Sequence, residues 1–429
     1  MRKVMVSTMA AAILVGGCMA TPPSQVKATA TNNAMSSTNS SFKDVPATHW
    51  AVAAIASAVQ DGYFKGYTDG TFKPNAPVTK AEMATILGRL SEQPVVAAGA
   101  NSDFSDLLDW AKDGVQAAVE KGFIDPAKYA GTLNAKAALT RGEMATWLAQ
   151  GLAAVSPDYK QALSDVTDTV IPAKEYFTGK MSADQKNAVA VTMGTGLMSV
   201  GSDKNFGTDR TTTRAEVATL LARYTAVAKK QPSEFQGLEE LRAVGLTGTN
   251  IKVIAPSYVK QPQESWPESF DYNKVTDDFT KVRNKELVTD TDYATLKVRN
   301  WIVVNPYVKG DQRSIYYPVF LDNGDTLNNG AYYSFTEFDL NVKMTSMNQL
   351  QAGSLLSSST INPLKSPTSK AVLEYSLPLI NDFTKSRGVF TVKNPIYWSR
   401  GLLQLDKAHQ PFVRLKTKDG LDFAILSIN

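Results

Sequence analysis

The chain has 429 residues, with 45 Lys+Arg against 41 Asp+Glu, two His and one Cys. At about 150 residues per domain this length gives two to four folded units, so the protein reads as multidomain, and the near balance of charge argues against nucleic acid as a partner. A hydrophobic fraction of 43% supports buried cores, while the solitary Cys excludes an internal disulfide framework and two His leave little for zinc or His-dependent triad chemistry, so neither a metal nor a cofactor is expected.

Arg2 and Lys3 precede an almost wholly apolar run at residues 4–15. Its length suits a secretory h-region and is too short to span a bilayer. The run ends Leu14-Val15-Gly16-Gly17-Cys18, which resembles the lipobox of bacterial lipoproteins. That resemblance implies removal of residues 1–17 as a signal peptide, lipidation of Cys18 and attachment of the exported chain to a membrane, each buried methylene contributing roughly 0.8 kcal/mol. An ordinary secretory signal cleaved near Ala20 or after Ala30 is the alternative, and it would discard the cysteine. Residues 18–41, rich in Thr, Ser, Asn and Ala, read as a disordered tether with a mean span of about 25 Å.

Internal repetition dominates the next part of the chain. One copy (42–95) runs Phe42-Lys43-Asp44-Val45 to Trp50, then Gly62, Gly66-Tyr67-Thr68-Asp69-Gly70-Thr71-Phe72 and Thr79-Lys80-Ala81-Glu82-Met83. A second (103–155) has Phe104-Ser105-Asp106, Trp110, Gly122 and Thr140-Arg141-Gly142-Glu143-Met144; a third (163–225) has Leu163-Ser164-Asp165, Gly196, Phe206 and Thr213-Arg214-Ala215-Glu216-Val217. The Gly-to-Thr separation is 17, 18 and 17 residues (62 to 79, 122 to 140, 196 to 213). Apolar residues at helical spacing, such as Val52, Ile55 and Val59 or Val217, Leu220, Leu221 and Tyr224, predict helix, loop, helix in every copy. Two such short helices cannot bury enough surface alone. The expected arrangement is an all-α bundle of the three copies, most simply with pseudo-threefold symmetry.

Thr79 with Glu82, Thr140 with Glu143 and Thr213 with Glu216 are spaced as capping boxes, with Val78 and Met83 or Leu139 and Met144 as hydrophobic staples. Capping accounts for Thr and Glu but not for the cation between them. Lys80, Arg141 and Arg214 fall at N1, where the helix dipole disfavours positive charge by about 0.3–1 kcal/mol. A cation beside helix N-terminal N–H groups would suit an anion such as a carboxylate; a structural ion pair is the competing explanation.

These motifs resemble the S-layer homology domain over residues 42 to about 225. The resemblance implies a three-pronged module that holds a protein at the bacterial surface by binding cell-wall glycopolymer, often with pyruvylated amino sugars. It places Lys80, Arg141 and Arg214 at the acidic group, with Asp44, Trp50, Gly66 and Tyr67 of the first copy and Asp106 and Trp110 of the second lining grooves between copies. Lys80 stands where Arg is commoner, replacing a bidentate fork by a point charge. The second copy has Asp125-Pro126-Ala127-Lys128-Tyr129 in place of the Gly-Tyr-x-Asp-Gly loop, and the third lacks the Trp.

Residues 226–248 read as a linker with a short helix near 238–244 and Gly245 as its C-cap. Residues 249–429 turn strand-like, at 251–254, 294–304, 315–321, 338–344, 389–392, 412–415 and 423–428, with turn signals at 322–325 and 418–421. A β-rich domain, α+β or all-β, is expected. His409 stands alone, the carboxylates at 277–278 and 290–292 lack a calcium-loop pattern, and half of the aromatic pairs Tyr316-Tyr317, Tyr332-Tyr333 and Tyr397-Trp398 should be core, a sugar-stacking surface being the lesser reading. No catalytic residue is identified. The sequence therefore reads as a non-catalytic, exported wall-binding protein with a lipid anchor at Cys18, whose partner is an acidic wall polysaccharide or peptidoglycan; an envelope hydrolase with its activity in the C-terminal domain is the alternative.

Overall fold

A computed structural model of the chain describes residues 42–428 apart from 91–92, 328–329, 345–346, 364, 381–388, 391–393 and 406–411. The segments expected as signal peptide (1–17) and tether (18–41), with Cys18 itself, and His409 lie outside the described residues. The N-terminal region is helical: α1 (Val52–Gln60), α2 (Lys80–Gly88), α3 (Lys112–Glu120), α4 (Arg141–Val155), α5 (Pro157–Asp165), α6 (Lys174–Phe177), α7 (Ala183–Gly194), α8 (Arg214–Ala228) and α9 (Gln236–Thr247). The Thr at the start of α2, α4 and α8 accepts from the N3 backbone, and the N3 Glu accepts from the Thr backbone, so each helix begins with both halves of a capping box. No helix among the described residues is long and apolar enough to cross a membrane.

The C-terminal region contains α10 (Ile251–Ile254), β1 (Tyr258–Lys260), β2 (Val275–Thr276), β3 (Ala294–Val304), α11 (Tyr317–Phe320), β4 (Tyr332–Val342), β5 (Met347–Asn348), α12 (Gln349–Gly353), α13 (Lys370–Glu374), β6 (Val389–Phe390), β7 (Ile396–Leu403), β8 (Phe412–Lys416) and β9 (Asp422–Ser427). One sheet is antiparallel in the order β3-β4-β7, with Trp301 opposite Thr336 and Thr336 opposite Ser399. In a second, β9 pairs antiparallel with β8 and β1 and parallel with β2, and β5 and β6 form a separate antiparallel pair.

Period-two alternation places the first sheet between two cores. Ile302 and Val304 join the apolar cluster of the helical region, together with Phe335 and Trp398. Trp301 and Val303 join a second cluster shared with the β9 sheet, together with Tyr397 and Phe423. A strand covered on both faces reads as a continuous apolar run, which is why residues 301–304 are apolar without interruption. Ser41–Asn429 form one unit.

Helix α9 is the join. Leu238, Leu241 and Val244 are fully buried. Gly194 of α7 leaves no room for a Cβ against Leu238, and a Cβ on Gly245 would stand 2.0 Å from the Asp165 carbonyl of α5. Gly245 is thus a contact point inside the helix, and the C-cap is Gly248, at φ +83°. Beyond it, Trp301 N–H donates to the Gly248 carbonyl, and the Asn250 amide exchanges bonds of 2.7 and 2.9 Å with the backbone of Val303. The buried Glu240 carboxylate accepts from Ser314 Oγ at 2.6 Å and Asn250 Nδ2 at 3.0 Å.

Two expected strands are helical. Residues 251–254 turn because Thr249 and Asn250 already occupy the β3 edge, and Thr249 Oγ1 accepts from Ile251 N. Residues 315–321 contain α11, with Pro318 at its start and Tyr316, Tyr317, Val319 and Phe320 all buried, so no alternation of exposure exists there. Tyr316, Tyr317, Tyr333, Tyr397 and Trp398 are buried; these aromatic pairs are core rather than a sugar-stacking surface.

Candidate functional site

The three copies meet through the starts of their second helices. Lys80 N and Ala81 N donate to Ala137 O and Ala135 O of the second copy, Arg141 N and Gly142 N to Arg210 O and Thr208 O of the third, and Arg214 N and Ala215 N to Ala76 O and Pro74 O of the first. At the centre Leu139 N donates to Val78 O, Val78 N to Thr212 O and Thr212 N to Leu139 O. The cycle is closed. It also consumes the N1 and N2 amides of each helix, while the Thr hydroxyl takes N3. The anion pocket of free helix N–H groups expected at Lys80, Arg141 and Arg214 therefore does not form, because neighbouring carbonyls fill it.

The N1 side chains follow the same direction around the cycle. Arg214 donates through Nε to Phe72 O at 2.8 Å and through Nη2 to Lys65 O at 2.8 Å. Arg141 repeats this with Phe206 O and Ser199 O, both at 2.9 Å. Lys80 has no fork; its Nζ lies 2.5 Å from Glu143 Oε1. Burial pulls both guanidinium groups below the ordinary arginine range, yet both stay charged.

Counter-charge separates the three junctions. Glu143 uses one oxygen for Thr140 N and the other for Lys80. Glu216 meets Arg210 at 2.5 Å and Arg141 at 3.9 Å. Burial raises the Glu216 carboxyl, but Arg210 and the Thr213 N–H outweigh it and hold it below the usual range. At the remaining junction Glu82 accepts from Thr79 N at 2.8 Å, and among the described residues no carboxylate oxygen lies within 4.0 Å of Arg214. Its Cζ is instead 4.5, 4.7 and 5.1 Å from the ring centres of Phe72, Phe64 and Tyr67. Tyr67 is 40% exposed and carries Lys73 Nζ 4.0 Å from its centre. The Arg141 junction has one ring, Phe206 at 4.9 Å, beside a cavity of about 280 Å³.

The remaining expected groove residues divide. Asp44 accepts from Phe72 N and Lys73 N, both at 2.7 Å; desolvation raises its carboxyl, and these bonds lower it further than that, to below the ordinary range. Asp106 accepts in the same way from Leu133 N and Ala135 N. In the third copy the matching residue is Glu175, which accepts from Phe206 N at 2.8 Å and Gly207 N at 2.5 Å. Asp165, which the sequence places there, pairs with Arg242. The separations of 28 and 27 residues in the first two copies become 31 in the third, so constant spacing conceals Glu175. Gly66 is fixed by packing, since a Cβ would stand 2.2 Å from Phe42. Trp50 and Trp110 are 65% and 58% exposed, and Trp50 stacks on His49.

The S-layer homology domain model matches residues 41–84, 103–145 and 180–218, so the chain carries three such domains. It is 36% identical over 95 residues to Cell surface glycoprotein 1 of Acetivibrio thermocellus, covering 20% of this chain and 4% of that protein. It is 33% identical over 97 residues to the Cellulosome-anchoring protein of the same organism, covering 22% of each. With the S-layer protein sap of Bacillus anthracis it shares 25% identity over 298 residues, which is 69% of this chain and 32% of that protein. The chain thus spans a third or less of the length of these curated relatives.

Proposed function

We propose that the three S-layer homology domains, arranged with pseudo-threefold symmetry, bind an acidic cell-wall glycopolymer and hold the sheet-containing region at the cell surface without catalysis. The family match and the surface proteins it is shared with support wall anchoring. The observation that carries the ligand class is Arg214. Two backbone carbonyls and three aromatic rings fix this guanidinium, its Nη1 makes no hydrogen bond among the described residues, and no carboxylate there lies within 4.0 Å, Glu82 and Asp44 acting on it only from farther away. Arg214 is 8% exposed, and a preformed, largely buried cation of this kind suits a carboxylate such as that of a pyruvylated sugar. The expected groove residues Asp44, Gly66 and Tyr67 hold the loop that faces it.

Lys80 and Arg141 have counter-ions within 4.0 Å, so the Arg214 junction dominates binding. Retention of the full chain on purified cell-wall sacculi tests this. Arg214→Ala is expected to weaken retention by at least about tenfold, the scale of one lost charge-assisted bond, whereas Lys80→Ala leaves it within about twofold. Arg214→Lys retains charge and controls for lost carbonyl bonds, with the unfolding midpoint recorded for each chain. Undiminished retention of a folded Arg214→Ala chain, or of the parent on sacculi stripped of acidic substituents, refutes the assignment. We further propose that Cys18 carries lipid and adds a membrane attachment; Cys18→Ala then moves the chain out of the detergent phase.

A further inference from the structure

A second cleft, of about 650 Å³, lies wholly within the C-terminal region, between the outer face of β8 and the hydroxyl-rich loop 356–360. Its volume falls in the range of small-molecule sites, about 300–1,000 Å³. The strand wall follows from period two: Val413 and Leu415 are buried in the second core, so Phe412, Arg414 and Lys416 are left on the exposed face. Both large exposed apolar residues of this neighbourhood, Phe412 and Val288, line the cleft.

Hydrogen bonds hold residues of both walls in place. Arg414 donates through Nε to Asp422 Oδ1 at 2.7 Å, and its Cζ lies 4.6 Å from the Trp266 ring centre. Opposite, Thr360 O accepts from Ser334 Oγ at 2.7 Å and Ser359 O from Leu402 N at 3.0 Å, which binds the loop to β4 and β7. Gly401 permits this approach, since a Cβ there would stand 2.0 Å from Thr360 O. Asp290 fixes the start of the loop by accepting from Ser357 N and Oγ. Of the charged side chains lining the cleft, Lys416 meets no carboxylate within 4.0 Å among the described residues.

We infer that this cleft is a binding site for a carboxylated saccharide, independent of the junctions between the three copies. Serine and threonine hydroxyls and the Asp290 carboxylate match sugar hydroxyls, Phe412 and Val288 match the apolar face of a pyranose ring, and Lys416 beside Arg414 matches a carboxylate. An acidic peptide would use the cations but not the hydroxyl wall. Because both walls are preformed, little ordering opposes binding.

Hydrogen exchange of the full chain, read by mass spectrometry with trigalacturonate as the probe, localises the site directly. Protection of the peptides covering 356–360 and 412–416 is expected, with little from neutral maltotriose. Lys416→Ala, on an exposed strand face, is expected to raise the trigalacturonate concentration for half-protection by about tenfold, while Lys416→Arg stays within about threefold. Lack of protection in these two segments, equal protection by maltotriose, or stronger protection by triglutamate overturns the inference. Protection at the Arg214 junction reports on the other site and leaves this readout unchanged, so the two readings fail separately.

Discussion

Ending the chain after α8, where the repeats stop, should destroy most of the stability of the helical region. Leu238, Leu241 and Val244 project from one side of α9 and are fully buried, with α5 and α7 packed against that helix. At about 1.5–3 kcal/mol for each side chain, their removal forfeits about 5–9 kcal/mol, an upper bound because unfolded chains already bury some apolar surface. That matches the entire margin of a typical domain, about 5–15 kcal/mol. Urea denaturation followed by circular dichroism, on fragments 42–228 and 42–249, measures the difference. The shorter fragment should unfold at far lower urea or lack a cooperative transition, and Leu241→Ala in the full chain should cost about 2–5 kcal/mol. Equal midpoints for the two fragments would refute the assignment of α9 to the helical core. If the midpoints differ as expected, wall binding measured on residues 42–228 reports the missing helix rather than the grooves.

Gly245→Ala discriminates packing from propensity by its sign. An exposed helical Gly replaced by Ala gains about 1 kcal/mol, whereas here the Cβ meets a backbone carbonyl at 2.0 Å, so a loss of about 1–3 kcal/mol in urea unfolding is expected, and any gain contradicts the α5 contact. Glu240 supplies a pH signature. Burial, only partly offset by Ser314 and Asn250, raises its carboxyl above the ordinary 4.5, so the folded state holds the proton more tightly than the unfolded one. Its contribution is then fully present below about pH 4.5 and is lost as pH rises through the folded value, by up to about 1.4 kcal/mol per pH unit. The stability difference between the parent and Glu240→Gln should shift in favour of the variant from pH 5 to 8; a pH-independent difference would show that Glu240 titrates normally.

The helical half was legible because its determinants are local. A Thr and a Glu three residues apart fix a helix start wherever they occur, and heptad-like apolar spacing fixes the buried side, so α2, α4 and α8 begin at Lys80, Arg141 and Arg214. The C-terminal half was legible where strands alternate or run apolar between turns, as β3, β8 and β9 do, with Gly420 at φ +95° in the β8–β9 hairpin. Residues 315–321 look like a strand because Ile315, Tyr316, Tyr317, Val319 and Phe320 favour strands, but with Pro318 at its start the segment turns into α11 under the helical core. Strand β7 escaped notice for the opposite reason, since Ser399, Arg400 and Gly401 break the apolar pattern where the hydroxyl-rich loop crosses. In the site, sequence located the three cations but not their partners, because each partner belongs to the next copy.

The same partnership gives one repeated position three different surroundings, and the difference can be reversed. Glu143 has two tasks, accepting from Thr140 N and neutralising Lys80. Glutamine at N3 still completes a capping box, so Glu143→Gln should leave α4 intact, with the unfolding free energy within about 1 kcal/mol of the parent, while releasing Lys80 from its counter-ion. The junction so opened borders a cavity of about 500 Å³ whose lining includes Lys136, a second cation, and Asp106, whose carboxylate is already held by Leu133 N and Ala135 N. If counter-charge decides which junction binds acid, Glu143→Gln in the Arg214→Ala background should restore part of the lost retention on sacculi, by about threefold to tenfold, the scale of one charge-assisted bond. No recovery in a folded double variant would mean that the three rings around Arg214, rather than its unpaired charge, set that junction apart; the corresponding test is then Tyr67→Ala.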